Sequence, residues 1–222
     1  MPTLLHIDFV SDVSCPWCAI GLGALEQALQ RLAPDIGADI HFQPFELNPA
    51  MPPGGQDMGE HLHQKYGSTP AQQEAAREMI RQRGAEVGFE FRLDRRSRIY
   101  NTFDAHRLLH WAAEEGPPPA QRALKKALLR AYFTQGLSPE SHAVLCQAAA
   151  EAGLDAARAA EVLSGDAWAQ AVRQQQRRWL QAGIQAVPGV VINQRHLISG
   201  GQPPEVFEQV LRRLAAQEPA PA

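Results

Sequence analysis

The sequence predicts an α/β fold in which a mixed sheet, flanked by helices, is built from both ends of the chain. Residues 4–10 alternate apolar with polar side chains, as a half-buried strand does, and residues 38–47 repeat the pattern. Strand and helix patterns return near the C-terminus, after a long stretch whose signals are almost all helical. We therefore predict one α/β domain formed by residues 1–55 and 166–222, with an inserted all-α domain over residues 56–165.

The first helix follows the first strand after a short polar turn. Leucines recur at three- and four-residue steps from Leu22 to Leu32, which gives one apolar stripe. Pro34 predicts the end of this helix, because the residue before a proline disfavours helical geometry.

Apolar faces with helical spacing fill the predicted insertion. Thr69, Pro70 and Gln72 form the pattern of a capping box, and Ser138 is expected to open a later helix that ends at Gly153. The predicted core positions are Ala105, Leu108, Leu109, Ala112, Leu124, Leu128, Ala131, Leu145, Ala148 and Ala152.

The C-terminal part is predicted to contain a helix, a hairpin and a last helix. The first of these follows Asp166 and has Gly183 just beyond its end. Two short apolar strands, 190–192 and 196–198, are separated by three polar residues, which is typical of a β-hairpin. The apolar residues from 206 to 214 line the last helix, and the tail after Ala216 is expected to be loose.

Composition and charge exclude several classes of protein. A net charge of −3 argues against a general nucleic-acid binder, which carries a basic excess. Three cysteines do not make a disulfide framework. Residues 1–10 lack the features of a signal peptide and no apolar stretch has the length of a membrane span, so we expect a cytoplasmic protein with no membrane partner.

The motif that carries chemistry is Cys15-Pro16-Trp17-Cys18, at the predicted junction of the first strand and the first helix. Unpaired N–H groups and a partial positive charge at a helix N-terminus favour a thiolate over a thiol. Cys18 lies one turn further along the same face, near enough to form a disulfide with Cys15. We predict Cys15 as the exposed attacking thiol and Cys18 as the more buried resolving thiol.

The cysteine pair has two alternative roles. A structural zinc site needs four ligands, and the sequence has no second CxxC or suitably spaced Cys/His pair. Two inert core cysteines are the other alternative. We predict redox chemistry and no metal site, and we expect Cys146 to be a buried structural thiol.

A second segment, Gly-Ile-Gln-Ala-Val-Pro at 183–188, precedes the hairpin. With the CxxC and the helical insertion, it resembles the DsbA branch of the thioredoxin superfamily, and the match narrows to FrnE-like cytoplasmic DsbA proteins. The matching segments are SDVSCPWC (11–18), PFELNP (44–49), KYG (65–67), NTFDAHRL (101–108) and GGQP (200–203).

This resemblance implies a thioredoxin-like fold and a protein disulfide oxidoreductase or isomerase. It implies Cys15 as nucleophile, Cys18 as resolving thiol and Pro188 as a cis-proline beside them. It implies no cofactor beyond a redox-active Cys15–Cys18 disulfide, with glutathione as an open choice of reductant or co-substrate. Gly189 departs from the family, in which threonine often follows the proline.

Substrate contacts are expected around the two thiols. The Val187 backbone would pair with an extended peptide, which gives broad substrate choice, and Pro16 and Trp17 would form an apolar lip. For Trp17, an ordinary aromatic of the core is the alternative.

Two other segments supply candidate substrate-binding residues. Phe103, His106 and His110 share one helix face that is expected to line the cleft, with satisfied histidines at a domain seam as the alternative. Asn48 matches the family pattern, although asparagine before proline is also a common turn former.

A rival function comes from related proteins. The 2-hydroxychromene-2-carboxylate isomerases and kappa-class glutathione transferases resemble this chain in architecture but typically carry serine in place of Cys15. Kappa relatives bind glutathione with a Ser-Asp pair where this chain has Gly201-Gln202. The partners implied are protein or peptide thiols and disulfides, with glutathione and a small aromatic substrate left open. Monomer and homodimer also stay open.

Overall fold

The computed structural model describes residues 3–217. The strands are β1 (Thr3–Ser11), β2 (Ile36–Pro44), β3 (Gln56–Asp57), β4 (Arg98–Ile99), β5 (Gly189–Ile192) and β6 (His196–Ser199). The helices are α1 (Pro16–Leu32), α2 (Met58–Tyr66), α3 (Pro70–Glu86), α4 (Phe103–Glu114), α5 (Ala120–Phe133), α6 (His142–Glu151), α7 (Ala156–Ser164), α8 (Ala169–Gln181) and α9 (Pro204–Ala215). A short 3₁₀ turn covers Leu93–Arg95.

The main sheet has four strands in the order β2-β1-β5-β6. Strand β1 runs parallel to β2, with Thr3 opposite Ile36, and antiparallel to β5. Strands β5 and β6 form the predicted hairpin, and its turn places Asn193 and Gln194 at φ values of 50° and 57°. The predicted α/β class with a mixed sheet is therefore confirmed.

Two large hydrophobic clusters hold the described part of the chain together. The first contains one face of β1, where Leu5, Ile7 and Phe9 are fully buried, together with residues of α1, α9 and the other strands of the main sheet. The second is formed mainly by α4 to α7 and includes Leu108. Val13, in the turn between β1 and α1, belongs to the second cluster, so this turn contacts both.

The helical stretch departs from the sequence prediction at two points. The helix expected to open at Ser138 begins at His142, because residues 138–141 form a separate turn in which the Ser141 N–H donates to the Ser138 carbonyl. Strands β3 and β4, of two residues each, pair antiparallel. The sequence does not predict them, because two residues are too few to show a periodic pattern. The capping box at Thr69 is confirmed.

The other differences lie at element ends. Strand β2 ends at Pro44 rather than at residue 47, because the Leu47 N–H leaves the strand to bond Asp12. Gly183 follows α8 with φ of +89°, as predicted. The division into 1–55, 56–165 and 166–222 stays a prediction, and most of the tail after Ala216 lies outside the described residues. No helix within residues 3–217 combines the length and apolar character needed to cross a membrane.

A tight contact of α3 leads to a prediction about stability. A Cβ at Gly84 would lie 2.3 Å from the Phe91 ring and 2.8 Å from the Phe89 carbonyl. We expect Gly84→Ala to lower the free energy of unfolding by about 1–3 kcal/mol from overpacking. This range is the net loss, after the gain of about 1 kcal/mol from helix propensity. Urea denaturation checks this, with Gly37→Ala as control because a Cβ there meets only Leu4, at 3.5 Å. Equal midpoints for Gly84→Ala and the parent would contradict it.

Candidate active site

Cys15 occupies the N-cap position of α1, and its backbone is extended with φ −92° and ψ 115°. Pro16 is the first helical residue, where the missing N–H leaves no hydrogen bond unmade. The Cys18 N–H donates to the Cys15 carbonyl at 3.1 Å, which closes the first turn. Both side chains are thiols. Cys15 thus lies at the N-terminal end of α1, where the first backbone amides of a helix have no partner within the helix, as the motif predicts.

The two thiols differ less in exposure than the sequence predicts. Cys15 is 3% exposed and Cys18 is fully buried. Cys15 is therefore the more accessible of the two, and it lines a cavity that Cys18 does not.

The loop before β5 packs directly against the cysteine motif. The Val187–Pro188 peptide bond is cis, and the Cys15 thiol donates to the Val187 carbonyl at 3.6 Å. Pro188 is buried against α1, where a Cβ at Gly21 would lie 3.1 Å from its Cγ. Residues 172 positions apart in the chain thus meet at one sulfur.

A cavity of about 590 Å³ opens next to Cys15. Its walls come from the start of α1, the loop after β2, helices α2 and α3, and the loop before β5. Four of the residues predicted to contact substrate line it: Pro16, Trp17, Asn48 and Val187. Asn48 also accepts a hydrogen bond from the Lys65 ammonium at 2.7 Å.

Phe103 and His106 are not among the residues that line this cavity. His106 is 2% exposed, and its Nε2 lies 3.5 Å from Asp12 Oδ1. The Phe103 ring packs against the Arg173 guanidinium at 3.7 Å, and His110 packs against Trp168. The expectation that this face lines the cleft is corrected, because α4 packs the face against neighbouring elements.

Asp12 fixes the turn that presents the cysteines. Its buried carboxylate accepts hydrogen bonds from the backbone N–H groups of Leu47, at 2.7 Å, and Ser14, at 3.2 Å. Burial alone would raise its pKa, but the contact with His106 and these hydrogen bonds outweigh burial and hold the pKa of Asp12 below its ordinary value. Asp12 is therefore a buried anion at neutral pH.

A buried lysine lies near the cysteines. Lys125 of α5 is fully buried, and its Nζ has no hydrogen-bond partner within the described part of the chain. Burial lowers the pKa of Lys125, while the nearby Cys18, Asp12 and Cys15 oppose this shift. Burial, followed by contact with Cys15, raises the pKa of Cys18 well above its ordinary value, and the charge of Lys125 opposes that rise.

A second buried cation borders the cavity. The Arg96 guanidinium lies over the rings of Tyr132 and Phe133, at 4.9 and 4.8 Å from the centroids. Its Nη2 donates to Met58 Sδ at 3.1 Å, whereas Nε and Nη1 are buried and unpaired among residues 3–217. Burial lowers the pKa of Arg96.

Sequence reasoning missed Asp12, Arg96 and Lys125 as site residues. A signal existed for Lys125, since it lies one residue after Leu124 and three before Leu128 on the apolar stripe of α5. Arg96 leaves no such signal, because it lies in an irregular segment.

Comparison with known proteins identifies the family. Residues 6–212 match the model of the DSBA-like thioredoxin domain, and the chain belongs to this family. It is 33% identical to a probable DsbA oxidoreductase, SCO1869, from Streptomyces coelicolor, with a TM-score of 0.85 over 98% of this chain and 92% of the other.

Two more distant structures share the fold. A 2-hydroxychromene-2-carboxylate isomerase is 16% identical, with a TM-score of 0.68 over 96% of this chain and 97% of the other. The cytosolic disulfide reductase DsbM from Pseudomonas aeruginosa, solved with GSH, is 18% identical, with a TM-score of 0.62 over 96% of this chain and 100% of the other.

The unpaired ammonium of Lys125 leads to a stability prediction. We expect Lys125→Met to raise the free energy of unfolding near pH 7 by about 1–4 kcal/mol, because it removes a buried charge that lacks a hydrogen bond. Since the pKa of Lys125 is lowered by folding, the unfolded chain binds the extra proton. Wild-type stability therefore improves as pH rises towards about 10.4, and the advantage of the variant shrinks.

Urea denaturation of both chains at several pH values measures this difference. Lys126→Met is the matched control, because Lys126 is exposed and pairs with Glu26 at 2.9 Å, so its loss should change stability by less than about 1 kcal/mol. A Lys125→Met protein less stable than the wild type at pH 7 would refute the expectation.

Proposed function

We propose that this protein is a thiol-disulfide oxidoreductase or isomerase that exchanges disulfides with protein or peptide substrates through Cys15 and Cys18. The observation that carries the proposal is the adjacency of two thiols at the N-terminus of α1, with Cys15 lining a cavity and touching the Val187 carbonyl. Membership of the DSBA-like family supports the same class of reaction.

The first step is attack by the Cys15 thiolate on a substrate disulfide. A new bond forms between Cys15 Sγ and one substrate sulfur, the substrate S–S bond breaks, and the second substrate sulfur leaves as a thiolate. The first amides of α1 stabilise the negative charge on Cys15 before the attack.

The second step is attack by Cys18 on the Cys15 sulfur. The mixed disulfide breaks, the remaining substrate sulfur leaves as a thiolate, and the substrate is reduced while Cys15 and Cys18 become a disulfide. Cys18 must first lose its proton although burial raises its pKa, and the nearby Lys125 charge opposes that rise. An external thiol returns the pair to the dithiol, and the same steps in reverse oxidise a substrate.

The loop that contains Pro188 is suited to hold the substrate backbone. The Val187 carbonyl accepts from the Cys15 S–H at 3.6 Å. When Cys15 ionises, this donor is lost and the carbonyl is free to accept from a substrate N–H. Recognition by main-chain groups would allow a broad range of substrates, and Pro16 and Trp17 would add apolar contact at the cavity.

Substitution of single cysteines tests the proposal. We expect Cys15→Ser to reduce insulin-reduction activity to the uncatalysed level, because a hydroxyl does not replace the thiolate. Cys18→Ser should accumulate mixed disulfides at Cys15, detectable by non-reducing electrophoresis and mass spectrometry. Cys146→Ser is the control, because Cys146 lies on α6 away from the cavity and should leave activity unchanged. Activity that survives in Cys15→Ser would exclude the proposal.

We propose glutathione as the small-molecule thiol that reacts with the cysteine pair. The second candidate function is a glutathione-dependent isomerase or transferase that acts on a small aromatic substrate. The supporting observation is a largely apolar cavity of about 590 Å³ bordered by the cations Lys65, Arg77 and Arg96. Glutathione carries two carboxylates that such cations would bind. The structure of DsbM with GSH supports glutathione, and the fold shared with the isomerase is compatible with the second candidate.

Arg96→Met tests the role of these cations. Loss of a charged hydrogen bond should raise the KM for glutathione roughly tenfold, while turnover with dithiothreitol, which is uncharged, should change little. Arg81→Met is the control, because Arg81 is exposed on α3 and pairs with Glu78. Equal losses with both reductants would indicate a structural role instead. Isomerase activity that persists in Cys15→Ser would favour the second candidate.

The cytoplasm remains the proposed compartment. A cysteine pair that works as a dithiol suits a reducing environment, and DsbM is described as cytosolic.

A further inference from the structure

We propose a divalent-metal site on the main sheet, formed by His6, Asp39 and His41 with Asp8 beside them. It rests on none of the residues that line the Cys15 cavity. The site would take Zn²⁺, whose ligands in proteins include imidazole nitrogens and carboxylate oxygens.

The register of two strands creates this cluster. Strand β1 contains His6-Ile7-Asp8, and β2 contains Asp39-Ile40-His41. In the parallel pairing, His6 lies opposite Asp39 and Asp8 opposite His41. Alternate residues of a strand point to the same side, so the two histidines and the two aspartates share one face of the sheet. On that face each histidine lies opposite an aspartate of the neighbouring strand. A shift of one residue in either strand would remove the cluster.

The distances place the ligand atoms near a metal-binding arrangement. One ligand atom from each of His6, Asp39 and His41 lies within 4.8 Å of the other two. A tetrahedral zinc ion with bonds of about 2.0–2.1 Å needs ligand atoms about 3.3 Å apart. Small side-chain rotations close this gap, since the side chains of His41 and Asp39 are 41% and 60% exposed.

The contacts within the cluster also suit a cation. His41 Nε2 lies 2.9 Å from Asp39 Oδ2, and His6 Nε2 lies 3.1 Å from Asp8 Oδ2. The two imidazole rings stack with centroids 4.7 Å apart. Two imidazoles and two carboxylates thus lie within contact distance of one another on one face of the sheet.

Asp8 is placed to support the site rather than to complete it. It is 5% exposed, and Gln43 donates to its Oδ1 at 2.6 Å, which fixes the carboxylate beside His6. A carboxylate that accepts a hydrogen bond from a ligating histidine orients the ring and raises its basicity. The fourth position on the metal is then left to water, on the exposed side.

Zinc titration tests the proposal in a background without thiols, Cys15→Ser/Cys18→Ser/Cys146→Ser, because thiolates bind zinc themselves. We expect one zinc ion per chain in isothermal titration calorimetry and a higher melting midpoint with zinc than without it. Adding His6→Gln or His41→Gln should abolish both effects. Adding Asp8→Asn should weaken binding about 10- to 100-fold.

His63→Gln, on helix α2, is the control and should leave zinc binding unchanged. Thermal melting in the absence of zinc shows whether each variant is folded. If a histidine variant does not fold, Asp39→Asn is tested in its place. Absence of zinc binding by the parent background, or binding that survives in folded His41→Gln and Asp39→Asn variants, would overturn the proposal. Because the background lacks the reactive thiols, this result is independent of the proposed oxidoreductase activity.

Discussion

The buried carboxylate of Asp12 is the interaction on which the active site depends. It lies in the turn between β1 and α1. It accepts hydrogen bonds from the backbone N–H groups of Ser14, in the same turn, and of Leu47, in the loop after β2. One anion therefore fixes both the direction in which α1 begins and a wall of the cavity. Because Asp12 is buried, loss of its partners would leave a costly unpaired charge, which makes the arrangement rigid.

The environment of the thiols combines low exposure with buried cations. Cys15 is 3% exposed, Lys125 is close enough for its charge to interact with both cysteines, and Arg96 borders the cavity. In surroundings of low dielectric constant these charges act more strongly on a sulfur than they would in water. The Cys15 thiol therefore lies in a cavity bordered by cations and not on an open surface.

The sequence predicts the parts of this site that local pattern controls. The CxxC at a strand–helix junction, the hairpin and the capped helix at Thr69 follow from periodicity and turn residues, and the structure contains each of them. The environment of His106 cannot be predicted in this way. Its spacing places it on a helix face, but the packing of α4 decides whether that face contacts solvent or Asp12. The position of Arg96 cannot be predicted from local sequence pattern, because contacts with Tyr132 and Phe133 of helix α5 hold its side chain in place.

The position of Val13 connects the two hydrophobic clusters. Its side chain packs with α4 to α7, whereas Cys15, two residues later, packs with the sheet and α1. Any movement of those helices relative to the sheet would pull on the backbone immediately before Cys15. The position of the Cys15 sulfur is thereby mechanically coupled to the packing of α4 to α7.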